Sequence, residues 1–502
     1  MPLLLVALFS AVAVAFPCAA AAEPYLLSVD DAVRVAVERN LGLQVETYNP
    51  AIAVTDLDRA RAIYDPRFTS LLDHKGSNIQ AAPESSLVDQ RRTFDFDSSI
   101  SQLLSSGATA SASFTNLWFK DSLGFKNTPG VPTLRYAQPN LTLSVSQPLL
   151  QGLGKKVTER AVTTADDAAE LSLASWNQKA LDTAAEARNR YLALVKARES
   201  LGTRKASLVV ARRIHEENEA RVKAGVLAAY ELQTSELGVL QREKDLLDAE
   251  LAERDAADQL RVTLHLPSGT TLEIPGTPWT DVPEPSEEEA LGSALRRRPD
   301  LSKARTSLRT AEFNEQVSRN LALPALSLEG SAGVTGIATD YGNAIDDLRA
   351  GKNPNWAVGL RFSVPLGNTA ARADVAASRL KASQARAGVA VLEESAGLEI
   401  RAALRALETR RKQNEVAIKG VSVAETRLAS FLKRGKLGLS TTKDVLDAEA
   451  NLTQARENLS GARADFQSAL TSLWKSTGDL LDRHGVRLDG KSIGTRTSKG
   501  TP

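Results

Sequence analysis

WAVGLRFSVPLGN, residues 356–368, carries the reading on which the fold depends. Trp356, Val358, Leu360, Phe362 and Val364 fall on one side of an extended chain, and Ala357, Gly359, Arg361 and Ser363 on the other. A strand sends successive side chains to opposite faces, so this is a strand with one apolar face and one small or polar face. About ten residues is the length of a tilted membrane-crossing strand, apolar to lipid and polar to a lumen. A half-buried sheet in water alternates in the same way, so the surroundings of the strand must decide.

The Pro-Leu end of this strand occurs twice. VSQPLLQG (145–152) corresponds to FSVPLGN (362–368), with Pro148 and Pro365 at an offset of 217. Upstream, SVDDAVRVAVERNLGL (28–43) resembles SEEEALGSALRRRPDL (286–301) at an offset of 258. Downstream, RVKAG (221–225) matches RGKLG (434–438) at an offset of 213. The same landmarks in the same order mark a tandem duplication. The first repeat covers 23–272 and the second 286–482, joined by a Pro-rich linker over 273–285. The drop from 258 to 217 gives the first repeat 41 additional residues ahead of its Pro-Leu end. There Phe94, Phe96 and Ile100 alternate, Ser105-Ser106-Gly107 supplies a turn, and Ala108, Ala110, Ala112 and Phe114 alternate again before Trp118 and Phe119. This predicts an extra hairpin near 93–119. Widening a barrel, lying across its mouth and extending outside it are all compatible with the pattern. The ordinary strands are Phe68–Leu72 and Leu141–Val145 in the first repeat, and Leu326–Val334 and Trp356–Val364 in the second.

Around these strands the hydrophobic period becomes helical. Each repeat should hold a leading helix (Val29–Ile63; Ser286–Asn320), a long helix (Lys156–Lys223; Ala371–Arg434), a Gly turn and a closing helix (Ala229–Leu266; Thr441–Gly478). At 1.5 Å per residue the long helix spans about 100 Å, and the two shorter ones total about 110 Å. Matching lengths suit the wall of a tube. In the closing helix Val445, Ala448, Leu452, Ala455, Leu459, Ala462, Phe466, Ala469 and Leu473 form an unbroken heptad seam, with alanines that let neighbours approach. Its counterpart keeps Leu232, Val239, Leu246, Ala249, Ala256 and Leu260 but is interrupted at Arg242 and Glu253, where looser packing is expected. A dimeric coiled coil or a spectrin-like bundle accounts for the helices equally well and leaves the strands unexplained. Two ordinary strands per repeat make four per chain, and a barrel needs about eight. Several copies must therefore combine; three would supply twelve strands.

With 62 basic and 61 acidic side chains and no block of like charge, the chain lacks the electrostatic footprint of a nucleic-acid binder. Four His and one Cys furnish neither a metal cage nor a disulfide framework. QGLGKKV lacks the spacing of a phosphate-binding loop, and His215-Glu216-Glu217 has no second His. No catalytic, cofactor-binding or metal residue is assigned, and no enzyme activity is expected. At the N-terminus LLLVALFSAVAVAF (3–16), followed by Ala19–Ala22, reads as a signal peptide over 1–22 that contains Cys18, although no Lys or Arg precedes the apolar run. No later apolar stretch reaches 18 residues, so any membrane crossing must be made by strands. Residues 483–502 have little apolar content and are expected to form a disordered tail.

Taken in this order, the features resemble the TolC-type outer-membrane efflux channel family (outer membrane efflux protein) from about Leu27 to Leu481. The duplicated leading helix carries the resemblance, with the strand ends SQPLLQG and SVPLGN, the R-x-x-x-G turns at Arg221–Gly225 and Arg434–Gly438, and DVLDAE from Asp444. It implies a mainly α fold with a membrane β-barrel portion: a homotrimer with a periplasmic α-helical tunnel and a 12-stranded or larger barrel in the outer-membrane lipid. The implied role is the exit duct of a tripartite efflux or type I secretion system. Its partners would be a periplasmic adaptor (membrane fusion) protein and an inner-membrane pump, without a cofactor. By the same resemblance Arg221, Gly225, Arg434 and Gly438 are adaptor-docking tips, and Asp444 and Asp447, with Glu231, line the tunnel entrance. Three copies would set six Asp carboxylates around one axis, favouring cations and raising the pKa of some members. Thr441 with Asp444 also reads as a plain helix cap. The alternative is an exported periplasmic coiled-coil adaptor or scaffold; an adaptor should carry a lipoyl-like β module, and none is found. One Met and four His argue mildly against a chain of soft metal ligands along the lumen, but a wide water-filled tunnel need not bind what it passes, so drug, metal and protein all stay open as cargo.

Overall fold

The computed structural model describes residues 25–80, 87–125, 133–267, 269–275, 279 and 285–487. The expected signal peptide and residues 488–502 lie outside them. In chain order the elements are β1 (Tyr25–Leu26), α1 (Val29–Arg39), α2 (Leu41–Arg61), β2 (Arg67–Gln80), β3 (Leu87–Leu103), β4 (Thr109–Phe125), β5 (Thr133–Pro148), α3 (Lys155–Thr158), α4 (Arg160–Lys223) and α5 (Ala229–Leu264). There follow β6 (Leu272–Glu273), α6 (Glu287–Arg297), α7 (Pro299–Leu321), β7 (Ala325–Thr335), α8 (Tyr341–Arg349), β8 (Asn353–Ser363), α9 (Thr369–Lys436), α10 (Thr442–Thr477) and α11 (Leu480–Arg483).

The two segments read as repeats match down to their helix caps. Helices α1 and α6 have 11 residues each and start behind Ser28 and Ser286, whose hydroxyls accept from the backbone N–H of Asp31 and Glu289. Helices α5 and α10 have 36 residues each. One continuous leading helix was expected in each repeat, but both are broken, at Asn40 and Arg298, which adopt extended ψ of 121° and 122°. The ring of Pro299 excludes the helical conformation at Arg298. Asn40 reaches the same geometry by capping: its Oδ1 accepts from Leu43 N at 3.1 Å and its Nδ2 donates to Thr263 O at 3.1 Å.

The described chain divides into two compact units, and each repeat contributes to both. One unit holds the residues through Glu46, Asn177–Arg298 and those from Ser395 on. Its helices pack through small and branched side chains: Ala32, Val35 and Ala36 of α1 meet Ala187, Tyr191 and Leu194 of α4 and Ala257 and Leu260 of α5. A second cluster joins Ile214 of α4 and Leu428 of α9 to Val445, Ala448 and Leu452 of the heptad seam. The interruptions of the first-repeat stripe are not loose. Arg242 donates through Nε (3.1 Å) and Nη2 (2.8 Å) to Glu449 Oε2 and also to Leu446 O, and the Glu449 side chain is only 4% exposed. Glu253 accepts from Arg198 Nε at 2.9 Å. Each polar break is thus the site of an interhelical ion pair. Trp279, inside the expected linker, donates to Glu199 at 3.0 Å and packs on the core.

A further buried cation sits near the end of α10. The guanidinium of Arg188 donates to Gln467 O (2.6 Å), Gln467 Oε1 (2.9 Å) and the Thr471 hydroxyl, and lies 4.7 Å from the centre of the Trp474 ring. Burial lowers its pKa to about 10. Trp474 also contacts His484 edge-on, and His484 Nδ1 is 2.6 Å from Asp30 Oδ1. His484 and Val486 are both buried, so the packed chain extends beyond Asp482.

The other unit comprises Thr47–Trp176 and Pro299–Glu394. Its sheet has six strands in the order β2-β3-β4-β5-β7-β8, every neighbouring pair antiparallel. Six replace the four ordinary strands of the count because the extra hairpin is β3 and β4, bonded along their length to β2 and β5. One row of opposed residues runs Phe68, Ile100, Ala112, Leu143, Ala332, Trp356 across the sheet. The neighbouring row on the opposite face runs Thr69, Ser99, Ser113, Thr142, Gly333, Asn355. One face is therefore apolar and the other polar through all six strands. Among the helices of this unit, Arg309 and Thr310 of α7 bond Asp167 of α4, while Arg305 pairs with Glu393 and Arg386 with Glu312, joining α7 to α9.

Two predictions follow from the helical unit. Glu449→Ala strands a nearly buried guanidinium and should cost about 3 kcal/mol, whereas the double replacement Arg242→Met, Glu449→Met should cost far less. Denaturation of the purified chain and the two variants measures both; equal losses would mean that the pair is not acting as a buried unit. His484 has its pKa lowered, chiefly by desolvation and against the pull of Asp30. Its Nε2 is buried without a partner among the described residues, so a second ring proton would find no acceptor. The unfolded chain then binds that proton more readily. Stability contributed by neutral His484 is fully present above the ordinary value of 6.5 and lost as pH falls through the lower folded value. Melting followed by Trp fluorescence should drop more for the wild type than for His484→Gln between about pH 7.5 and about pH 5.5.

Candidate functional site

Each repeat turns between its long and closing helices at a glycine with positive φ, Gly225 at 74° and Gly438 at 72°. The R-x-x-x-G spacing sets the arginine as the residue whose carbonyl accepts the outer bond of the cap and the glycine as its left-handed residue. Val226 N donates to Arg221 O and Gly225 N to Val222 O; in the second repeat Leu439 N donates to Arg434 O and Gly438 N to Gly435 O. This is the Schellman arrangement, in which the last free carbonyls of a helix are satisfied by a residue in the left-handed region. Val226, Leu437 and Leu439 are left exposed beside the two turns.

Arg221, Glu231, Gly438 and Asp444 line one cleft of about 490 Å³, together with Asn218 and Thr442. Arg221 donates to Gly435 O at 3.3 Å, fastening the first turn to the second. Asn218 Nδ2 donates to Thr442 Oγ1 at 2.9 Å in the buried floor. Arg434 stands with its guanidinium 5.8 Å from the ring centre of Phe431, and its charge also acts on Asp444.

The three acidic residues occupy different environments. Asp444 completes a capping box: its Oδ2 accepts from Thr441 N (2.9 Å) and Thr441 Oγ1 (2.8 Å), and its own N–H donates to Thr441 Oγ1 (3.1 Å). The bond from the Thr441 backbone, then that from its hydroxyl, holds the carboxyl below its ordinary range, within one chain the reverse of the rise expected of a crowded ring. Asp447 is exposed on the same helix. Glu231, expected beside them, is buried at 7% exposure, and its Oε2 accepts from Thr442 N at 3.2 Å. A carboxylate at the first N–H groups of α10 meets the positive end of the helix dipole, which explains its burial. Asn218, Thr442 and the Arg242–Glu449 pair are absent from the sequence-derived set. Arg242 left a trace there as a break in an apolar stripe, and Glu449 as the last residue of DVLDAE.

Residues 290–479 match the outer membrane efflux protein family. The outer membrane efflux protein BepC of Brucella suis is 26% identical over 235 residues, 46% of this chain and 49% of that protein. The toluene efflux pump outer membrane protein TtgC of Pseudomonas putida is 25% identical over 185 residues, 37% of each. The chain thus aligns with about half or less of the length of these relatives. Its fold is shared more fully: with the Campylobacter jejuni CmeC outer membrane channel the TM-score is 0.63 at 17% identity, covering 94% of this chain and 88% of that one. The Vibrio cholerae outer membrane protein VceC gives 0.64 at 16% identity, covering 90% and 96%. The match to the outer membrane efflux protein family thus falls within the second of the two similar segments, and the fold of the chain is that of solved outer membrane channels.

Proposed function

We propose that three copies of this chain form the exit duct of a tripartite efflux or type I secretion assembly, a barrel in the outer membrane continued by a periplasmic helical tunnel. The observation that carries this reading is the two-faced sheet. Trp356, Val358, Leu360 and Phe362 are 62–78% exposed on strand β8, which has a strand neighbour on one side only among the described residues. An apolar face suits lipid, and a bare edge in lipid has nothing to satisfy its backbone groups, so further copies must complete the wall. Exposed Leu240, Leu247 and Leu251 on α5 and Val416 and Val423 on α9 supply further apolar surface for neighbouring copies. A periplasmic scaffold would have no use for the apolar sheet.

In this reading the turns at Gly225 and Gly438, with exposed Val226, Leu437 and Leu439, meet the adaptor. A Cβ at Gly438 would touch nothing within 4 Å, so a side chain there strains only the backbone. Alanine in the left-handed region costs roughly 1–2 kcal/mol, too little to unfold the assembly. Gly438→Ala should impair export while cross-linking in detergent still yields the three-chain species. Normal export would reduce the glycine to a turn former, and a predominantly monomeric or dimeric wild type would refute the duct.

Asp444 and Asp447 then belong to a ring at the periplasmic entrance that favours cations. In single-channel recordings Asp444→Asn, Asp447→Asn should lower cation preference and weaken block by divalent cations. Unchanged selectivity and block would leave Asp444 solely a helix cap.

A further inference from the structure

We propose that hairpin β3–β4 is part of the membrane wall, so that each copy contributes six strands and three copies close an eighteen-stranded barrel. This rests on the trimeric duct proposed above. The hairpin is bonded to β2 from Arg67↔Ser101 to Gln80↔Val88 and to β5 from Thr109↔Ser146 to Ser122↔Thr133. Nothing in this register allows β2 to reach β5 directly.

The faces of the insert match those of its neighbours. Phe94, Phe96 and Ile100 of β3 lie on the apolar face with Phe114 and Trp118 of β4, and the rings of Phe96 and Phe114 meet edge-on at 6.5 Å. The same rows continue into Leu141 and Leu143 of β5 and Phe68 and Leu72 of β2. On the other face Ser99 and Ser101 oppose Ser113 and Ser111, and Ser111 meets the Ser144 hydroxyl at 2.7 Å. A hairpin lying across a mouth or standing outside a wall would have no reason to keep both faces in phase with its flanking strands.

Its turn is also built into the frame. Ser106 Oγ donates to Gln147 Oε1 at 2.8 Å, Gly154 N donates to Ser106 O at 3.0 Å, and a Cβ on Gly107 would stand 2.6 Å from Gly152 O. The hairpin turn is thus seated on the QPLLQG strand end, in contact that leaves no room for a side chain.

Closure follows from parity. Strands alternate in direction across the sheet, so β2 and β8 run oppositely, and β8 of one copy pairs antiparallel with β2 of the next, as everywhere else in the wall. Among the described residues these are the two strands of the sheet with one neighbour only. With strands about 4.8 Å apart and tilted by about 40°, twelve give a backbone diameter of about 24 Å and eighteen about 36 Å. The cross-section is then roughly doubled, and the hydroxyl-lined inner face of the insert leaves the gain open to water.

The test uses the full chain in lipid nanodiscs. Electron cryo-microscopy should show six wall strands per copy; four per copy, with the hairpin off the wall, would overturn the proposal at any copy number. The mass of the same particle reports separately on the trimer. In parallel, Ser99→Cys and Ser113→Cys should react with a water-soluble maleimide, while Ile100→Cys and Ala112→Cys should lose that reaction and be reached by a lipid-phase probe. Equal aqueous labelling of both faces would overturn it.

Discussion

A strand edge in hydrocarbon has no water to bond with, and each unpaired N–H or C=O there costs several kcal/mol. That constraint governs the rest of this chain. In the duct proposed for this chain it would forbid a free sheet and require the two edge strands to find partners on other copies. It also demands a register that keeps lipid-facing and water-facing residues apart, since a slip by one residue would exchange the faces of the whole strand. The rows from Phe68 to Trp356 and from Thr69 to Asn355 meet that demand over all six strands.

The same accounting of backbone groups shapes the helical unit. Helices end where their last carbonyls can be satisfied, hence the Schellman glycines at 225 and 438 and the left-handed Gly478 that closes α10. They begin where a hydroxyl or carboxylate can accept from the first N–H groups, as Ser28, Ser286 and Thr441 do. Glu231 reaches α10 from another helix for the same purpose and is buried by it. The tip is therefore held by helix-end chemistry, and the residues a partner would touch are those the caps leave outside.

Features with a local pattern were legible in the sequence: the alternating strands, the long helices and the Thr441–Asp444 cap. Those set by partners far away were not. Arg242 stood out as a break, yet Glu449, 207 residues on, could not be paired with it by periodicity. Where β3 and β4 sit depends on hydrogen bonds to β2 and β5, which no local pattern encodes. The broken leading helix is a different kind of miss. Pro299 was a readable signal at Arg298, and the aligned repeats place Asn40 at the same point, where a capping side chain achieves without proline what the ring enforces.

A closed antiparallel wall admits insertions only in pairs of strands. One added strand would reverse the direction of every later one and place β8 parallel to the next copy's β2, with its following helix at the wrong end. A hairpin restores direction before the chain reaches β5, so the Pro-Leu end and the helix behind it keep their places. In the proposed barrel the price would be a longer circumference, which the other strands can accommodate because each bonds only its immediate neighbours. The insert therefore needs no compensation along the sheet beyond matched faces and a seat for its turn, and the contacts of Ser106 and Gly107 with the QPLLQG segment provide that seat.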